Sequence, residues 1–259
     1  MTAPPRVPGV RLHVLTGASR GMGAAMAAQL LAPGNRLLCI SRSSDAALTA
    51  QAAAAGVVCE QWAMDLAEPA VVAARVQAWL AAIDPASVAS AALINNAAAL
   101  TQIGPVDECS DAELASALRV GLEAPLLLSA AFLRATRGWA VDKRVLNISS
   151  GLGRRAMAGQ APYCASKAGM DHLTRAMALD EANRPNGAKL VSLAPGVIDT
   201  DMQVQLRAGN ATGFPEQANF VALKEKGLLT APADAAARVL AFLARPGFGS
   251  NVVVDVRED

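Results

Sequence analysis

The chain has 259 residues, 53% of them apolar and 17% charged, with a formal net charge of +1. That composition excludes a disordered chain, and the length suits one α/β domain over residues 1–259 with a large buried core. The near-zero charge gives no support for binding to nucleic acid or to an anionic membrane surface.

The opening Met1-Thr2-Ala3-Pro4-Pro5 has no basic region followed by an apolar stretch, so no secretory signal is expected. Residues 1–9 read as a loose lead-in. Val10 to Leu15 is a mostly apolar strand, followed by Thr16-Gly17-Ala18-Ser19-Arg20-Gly21-Met22-Gly23 and an alanine-rich helix over 22–32. Strand, glycine turn and helix in that order are the setting of a dinucleotide-binding loop. Gly17 permits the tight turn, while Gly21 and Gly23 permit close approach to a pyrophosphate. Ser19, Arg20 and Met22 complete the loop, and the helix start offers unpaired N–H groups to phosphate oxygens.

A second strand, 36–41, contains the continuous apolar run Leu37-Leu38-Cys39-Ile40, as expected of a strand covered on both faces. It ends in Ser41-Arg42-Ser43-Ser44. An acidic residue there would favour NAD through the ribose 2′-hydroxyl, whereas arginine favours a 2′-phosphate. The cofactor is therefore expected to be NADP(H), with Arg20 and Arg42 on the phosphate and Ser41 or Ser43 assisting.

Strands at 57–62, 91–95, 143–149, 188–194 and 250–255 alternate with helices at 45–55, 68–82, 111–135, 161–183 and 232–244. Shorter helical pieces fall between 200 and 226. This βαβ repetition predicts one doubly wound parallel sheet of seven strands, a Rossmann fold, with helices on both faces. No uninterrupted apolar segment is expected to span a bilayer. Cys39, Cys59, Cys109 and Cys164 show no metal-type spacing, so no metal and a reducing cytoplasm are expected. His13, His172, Trp62, Trp79 and Trp139 read as structural.

The chain's one tyrosine lies four residues before a lysine, in Tyr163-Cys164-Ala165-Ser166-Lys167. Residues four apart share a helix face. A phenol beside an ammonium can transfer a proton, and the positive charge should draw the phenol's pKa down towards the working range. Ser150, at the end of the fifth strand, can hydrogen-bond a substrate oxygen. Strand alternation points Ser149 the other way.

Thr-Gly-x-x-x-Gly-x-Gly at 16–23, Asn95-Asn96-Ala97, Ser150 and Tyr163-x-x-x-Lys167 together resemble the short-chain dehydrogenases/reductases, over nearly the whole chain. The resemblance implies a carbonyl reductase in which hydride passes from the nicotinamide, Tyr163 donates a proton, Ser150 orients the carbonyl, and Lys167 also holds the nicotinamide ribose. It places Asp65 and Leu66 at the adenine ring and Asn96 and Ala97 beside the cofactor. It also places Pro195, Gly196, Ile198 and Thr200 at the nicotinamide carboxamide. Where the family commonly carries an asparagine that holds a relay water, this chain has Gly121. The distal stretches 199–203 and 223–228 and the ending Val252-Val253-Val254-Asp255-Val256 look like the sepiapterin reductase and benzil reductase branch. That branch implies Asp255 as a pteridine anchor, a ketone, pterin side chain or aromatic diketone as substrate, and a homodimer, with a tetramer possible. Residues 200–226 are expected to cover the pocket, with Phe214, Phe220 and Leu223 as apolar walls. The alternative reading is a nonenzymatic NADP(H)-binding sensor, which Gly121 alone favours.

Overall fold

The computed structural model describes residues 9–258. Of the expected lead-in, all but Gly9 lies outside the described residues. Seven parallel strands form one sheet in the order β3-β2-β1-β4-β5-β6-β7. They are β1 Val10–Thr16, β2 Asn35–Ser41, β3 Val58–Ala63, β4 Val88–Asn95, β5 Asp142–Ile148, β6 Lys189–Ala194 and β7 Val253–Asp255. The last is shorter than expected, because residues 247–252 are spent in turns and bends before the chain can enter the sheet.

The helices are α1 Gly21–Leu30, α2 Ala46–Ala55, α3 Pro69–Ala81, α4 Asp111–Leu118, α5 Ala124–Ala135, α6 Ala161–Ala182, α7 Asp201–Ala208, α8 Gln217–Glu225 and α9 Pro232–Ala244. Local chemistry sets several of their ends. Asp45 accepts from the Ala47 N–H at 2.8 Å to start α2, which stops at Gly56 in the left-handed region, φ 64°. Ser110 and Glu113 form a reciprocal capping box on α4.

The sheet is buried on both faces. On one, Met22 and Met26 of α1, Leu48 of α2 and Val239 and Phe242 of α9 pack on Leu15, Leu37, Ile94 and Leu193. On the other, Val72 and Val76 of α3 and Leu128 and Phe132 of α5 pack on Val14, Leu38, Leu93 and Val145. Each such aliphatic side chain contributes about 1.5–3 kcal/mol by leaving water. Strand order reverses between β1 and β4, which opens a crevice at their carboxyl ends.

Helices α4 and α5 are joined by a π-helical turn, Arg119–Glu123, into one continuous helix. Against expectation, residues 111–135 are long and apolar enough, by length and composition alone, to cross a membrane. Half of that helix's most apolar window is buried inside the fold, as a core helix requires.

Candidate functional site

The β1–β4 crevice opens into a cavity of about 750 Å³. Thr16 ends β1 beside it, and its hydroxyl accepts from the backbone N–H groups of Asn96 and Ala97 at 3.0 and 3.1 Å. The Asn96 amide donates to the carbonyls of Thr16 and Gly17 at 3.0 and 3.2 Å. The end of β4 thus holds the glycine turn in place. Gly17 has φ 71°, and a Cβ there would stand 2.9 Å from the Ala97 Cα. A Cβ on Gly23 would overlap the Gly17 carbonyl. Only glycine fits both positions. Helix α1 starts at Arg20 without a side-chain cap, and Gly21, Met22 and Gly23 line the cavity. Its first-turn N–H groups are therefore available to an anion.

Every expected cofactor residue except one lines this cavity: Gly17, Ser19, Arg20, Gly21, Met22, Gly23, Ser41, Arg42, Asp65, Leu66, Asn96, Ala97, Tyr163, Lys167, Pro195, Gly196, Ile198 and Thr200. The exception is Ser43, which points elsewhere; its backbone carbonyl accepts from the Ser41 hydroxyl at 2.9 Å. Arg42 is exposed and makes no ion pair with any described residue. Arg20 meets Asp201 of α7 at 3.2 Å across the cavity edge, both side chains being largely exposed. The glycine cradle and the uncapped helix fit the pyrophosphate of a dinucleotide.

Ser150, Tyr163 and Lys167 converge on the same cavity. Ser150 sits at the end of β5 and accepts from the Leu152 N–H at 3.2 Å. Tyr163 and Lys167 lie one turn apart on α6, with the ammonium 5.5 Å from the phenol ring centroid. Lys167 is 2% exposed, and its Nζ donates to the Ile148 carbonyl at 2.7 Å. Burial pushes its pKa down to about 8, and the Asp171 carboxylate one turn further on resists that fall.

The expected depression of the tyrosine is reversed. Burial pushes Tyr163 up to about 12, against a downward pull from its hydrogen bond with Ser150. Lys167 does not offset this, since its ammonium is spent on a backbone carbonyl beside the ring face.

Behind Lys167 lies a chain of charges. Asp171 is 3% exposed by side chain and accepts from the Ser149 and Ser192 hydroxyls at 2.5 and 2.6 Å. Ser149, expected to point away, also lines the cavity, but its hydroxyl is taken by Asp171. Arg154 lies 3.6 Å from Asp171 and 3.5 Å from Asp255.

Asp255 departs from expectation. It does not line the cavity: Arg257 clamps its carboxylate with two bonds of 2.8 and 2.6 Å. Those arginines hold its pKa below the usual carboxylate range. Arg257 lines the cavity instead, its side chain within 4 Å of where a Gly196 Cβ would stand.

Phe220 of α8 lines the cavity, but Phe214 is fully buried behind it, stacked at 5.6 Å, and Leu223 lies off the cavity. Sequence reasoning missed Leu100, Leu152, Met157 and Gln203. The first three come from loops with no periodic signal. Gln203 shares the inward stripe of α7 with Leu206 at helical spacing. The covering segment is pinned at its base by the Ile198–Thr230 bridge and by Lys224 on Asp199 at 2.6 Å.

The sequence pattern of the short chain dehydrogenases matches residues 11–211. A benzil reductase ((S)-benzoin forming) of Bacillus cereus is 33% identical over 249 residues, 96% of this chain and 100% of its own length. A sepiapterin reductase of Meriones unguiculatus is 34% identical over 260 residues, 95% of this chain and 96% of its own. Among solved structures, an NAD(P) dependent gluconate 5-dehydrogenase from Beutenbergia cavernae, with NADP bound at low occupancy, superposes with a TM-score of 0.79. It is 30% identical, and the match covers 98% of this chain and 97% of that one.

Proposed function

The chain belongs to the short chain dehydrogenases, an oxidoreductase family that works with a nicotinamide cofactor, and from that premise we propose that it is an NADPH-dependent carbonyl reductase. Its substrates are ketones or dicarbonyls of the aromatic diketone or pterin side-chain class. The observation that carries this reading is the convergence of Ser150, Tyr163 and Lys167 on the cavity that the glycine turn opens. The benzil and sepiapterin reductases it resembles support the substrate class.

A bound nicotinamide supplies the hydride; the chain supplies the rest. The Tyr163 phenol, with its pKa pushed up to about 12, keeps its proton at neutral pH and donates it to the substrate oxygen. The Ser150 hydroxyl orients that oxygen and, with Tyr163, stabilises the charge developing on it. Lys167, charged below about pH 8, is held by the Ile148 carbonyl where it fixes the nicotinamide ribose. Leu100, Leu152, Met157 and Phe220 wall the substrate end and exclude water. Arg42 and Arg20 select the 2′-phosphate, and no acid ends β2 to repel it. Exposed Leu118, Leu126 and Leu179 on α4, α5 and α6 support a homodimer, which a monomer by light scattering would refute.

The test is turnover of the purified protein with NADPH and with NADH on sepiapterin, benzil, an aryl ketone and an aliphatic ketone. NADPH-selective reduction of a diketone or of sepiapterin supports the reading. NADPH binding with no turnover of any carbonyl overturns it and favours the sensor, to which Gly121 points.

A further inference from the structure

Helix α7 buries two side chains, Gln203 and Leu206, and both line the cavity. Leu206 belongs to an apolar cluster with Met157 and Phe214, bordered by Leu100, Leu152 and Phe220. Gln203 stands in the same stripe and is 6% exposed. Its Oε1 is sealed from solvent without a partner, and no described residue accepts from its Nε2.

Asn95 also has a sealed Oδ1 without a partner, but the other buried amides have their nitrogen ends bonded within the fold. Asn95 donates to Asn147 at 2.8 Å, Asn147 to Thr174 at 2.8 Å, and Gln160 to the Gly159 carbonyl at 2.8 Å. Buried polar groups in native proteins are nearly always paired, so one that is not, on a cavity wall, calls for an external partner. With Oε1 sealed, the end of the amide that can reach the cavity is Nε2, a donor with two hydrogens. Its complement is a ligand oxygen.

We propose that Gln203 is a substrate subsite: its Nε2 donates to a second oxygen of the substrate, so that the enzyme prefers ketones carrying a further carbonyl or hydroxyl beside the one reduced. The proposal rests on the reductase reading above and assigns a residue to the second oxygen of the substrate class named there. The apolar wall takes the hydrocarbon part, while Tyr163 and Ser150 take one oxygen and Gln203 the other. A site built to bond an oxygen discriminates against the analogue lacking it, because the amide is then left buried and unpaired.

The experiment compares 1,2-diphenylethanedione with 1,2-diphenylethanone, which keeps both phenyl rings and lacks one oxygen. NADPH-coupled kinetics are run on the wild type, Gln203→Met and Gln203→Glu; the last keeps the shape but, when ionised, cannot donate. The ratio of kcat/KM for the diketone over the monoketone is expected to fall about tenfold in both variants, as loss of one hydrogen bond implies. The Kd for NADPH should stay within about twofold. An unchanged ratio overturns the subsite. So does a weakened NADPH affinity at constant ratio, which would make Gln203 a cofactor ligand. Wild-type protein that binds NADPH and reduces neither compound nor any other carbonyl of the panel above overturns the reductase reading itself. A measurement independent of any variant is inhibition of the wild type by 1,2-diphenylethane-1,2-diol and by 1,2-diphenylethanol. The diol should bind about tenfold more tightly, and equal inhibition would overturn the subsite.

Discussion

Gly121 is where the chain departs from its family, and its surroundings make the departure testable. The π-helical turn presses Gly121 against Ser166, the residue before Lys167, while Leu122 seats on Gly169 of the same helix. A Cβ at 121 would stand 2.9 Å from both the Cβ and the Oγ of Ser166. Ordinary carbon contacts sit at about 3.5–4.0 Å, so α6 must retreat by roughly 0.6–1 Å. Ser166 cannot simply rotate away, because its hydroxyl is bonded to the Pro162 carbonyl at 2.9 Å. Overpacking of this kind costs about 1–3 kcal/mol, against which alanine regains up to about 1 kcal/mol of helix propensity. Gly121→Ala should therefore lose about 1 kcal/mol, or roughly 3 °C in Tm for a chain of this size. Its kcat should fall about 10-fold or more as Lys167 shifts. Ser166→Gly removes both clashing atoms, so Gly121→Ala/Ser166→Gly should be more stable than the sum of the single changes by about 1 kcal/mol or more. Urea unfolding of the four proteins closes the cycle. Additivity within about 0.5 kcal/mol would show that the two sites do not press on each other and would refute the argument. By the same geometry, Gly121→Asn returns the family's residue yet clashes more, and should not raise turnover.

Tyr163→Phe should lower kcat by about 10²–10⁴-fold while the Kd for NADPH, read by fluorescence titration, stays near that of the wild type; retained turnover would remove Tyr163 as the proton donor. Arg42→Asp should weaken NADPH and spare NADH, and an unchanged kcat/KM ratio for the two would end the phosphate assignment. Asp171→Asn removes the carboxylate that favours the charged form of Lys167, so the ammonium should be lost at lower pH and the alkaline limb of kcat should move below about 8. A stationary limb would assign it elsewhere, and Tyr163, at about 12, lies too high to account for it. Asp255→Asn should destabilise the fold by about 1.5–3 kcal/mol in urea, because it weakens the bonds from Arg257 and Arg154. A change confined to KM for one substrate would restore Asp255 as a substrate anchor.

The sheet was legible because buried parallel strands are written as apolar runs such as Leu37 to Ile40, each interrupted by a helix of the opposite period. The glycine turn was legible because Gly17 and Gly23 occupy positions that no other residue can fill. Tyr163 and Lys167 were legible through helical spacing read together with the glycine turn and Ser150. What the sequence hid was the outcome of competition between charges. Asp255 and Arg257 are both near the end of the chain, and nothing in their order says that the arginine would close over the carboxylate and take its place on the cavity wall. The direction of the Tyr163 shift was hidden likewise, because it depends on how deeply the ring is buried and on where the Lys167 ammonium spends its hydrogen bond. The cavity's apolar wall comes from Leu100, Leu152 and Met157, scattered over loops, where neither period applies.

The chain of charges behind Lys167 also has a timetable. Asp171 leaves the ribosome about 84 residues before Asp255 does, and Arg154 earlier still, which leaves an interval of roughly 4–17 s at ordinary rates of synthesis. Throughout it, the glycine-turn half of the sheet already has all its strands, whereas Arg154 has one of its two carboxylates, and β6, once made, has an open edge. The strands around the glycine turn are thus made before α6, and the three residues of β7, made after both, close the edge of β6 and bring Arg154 its second carboxylate.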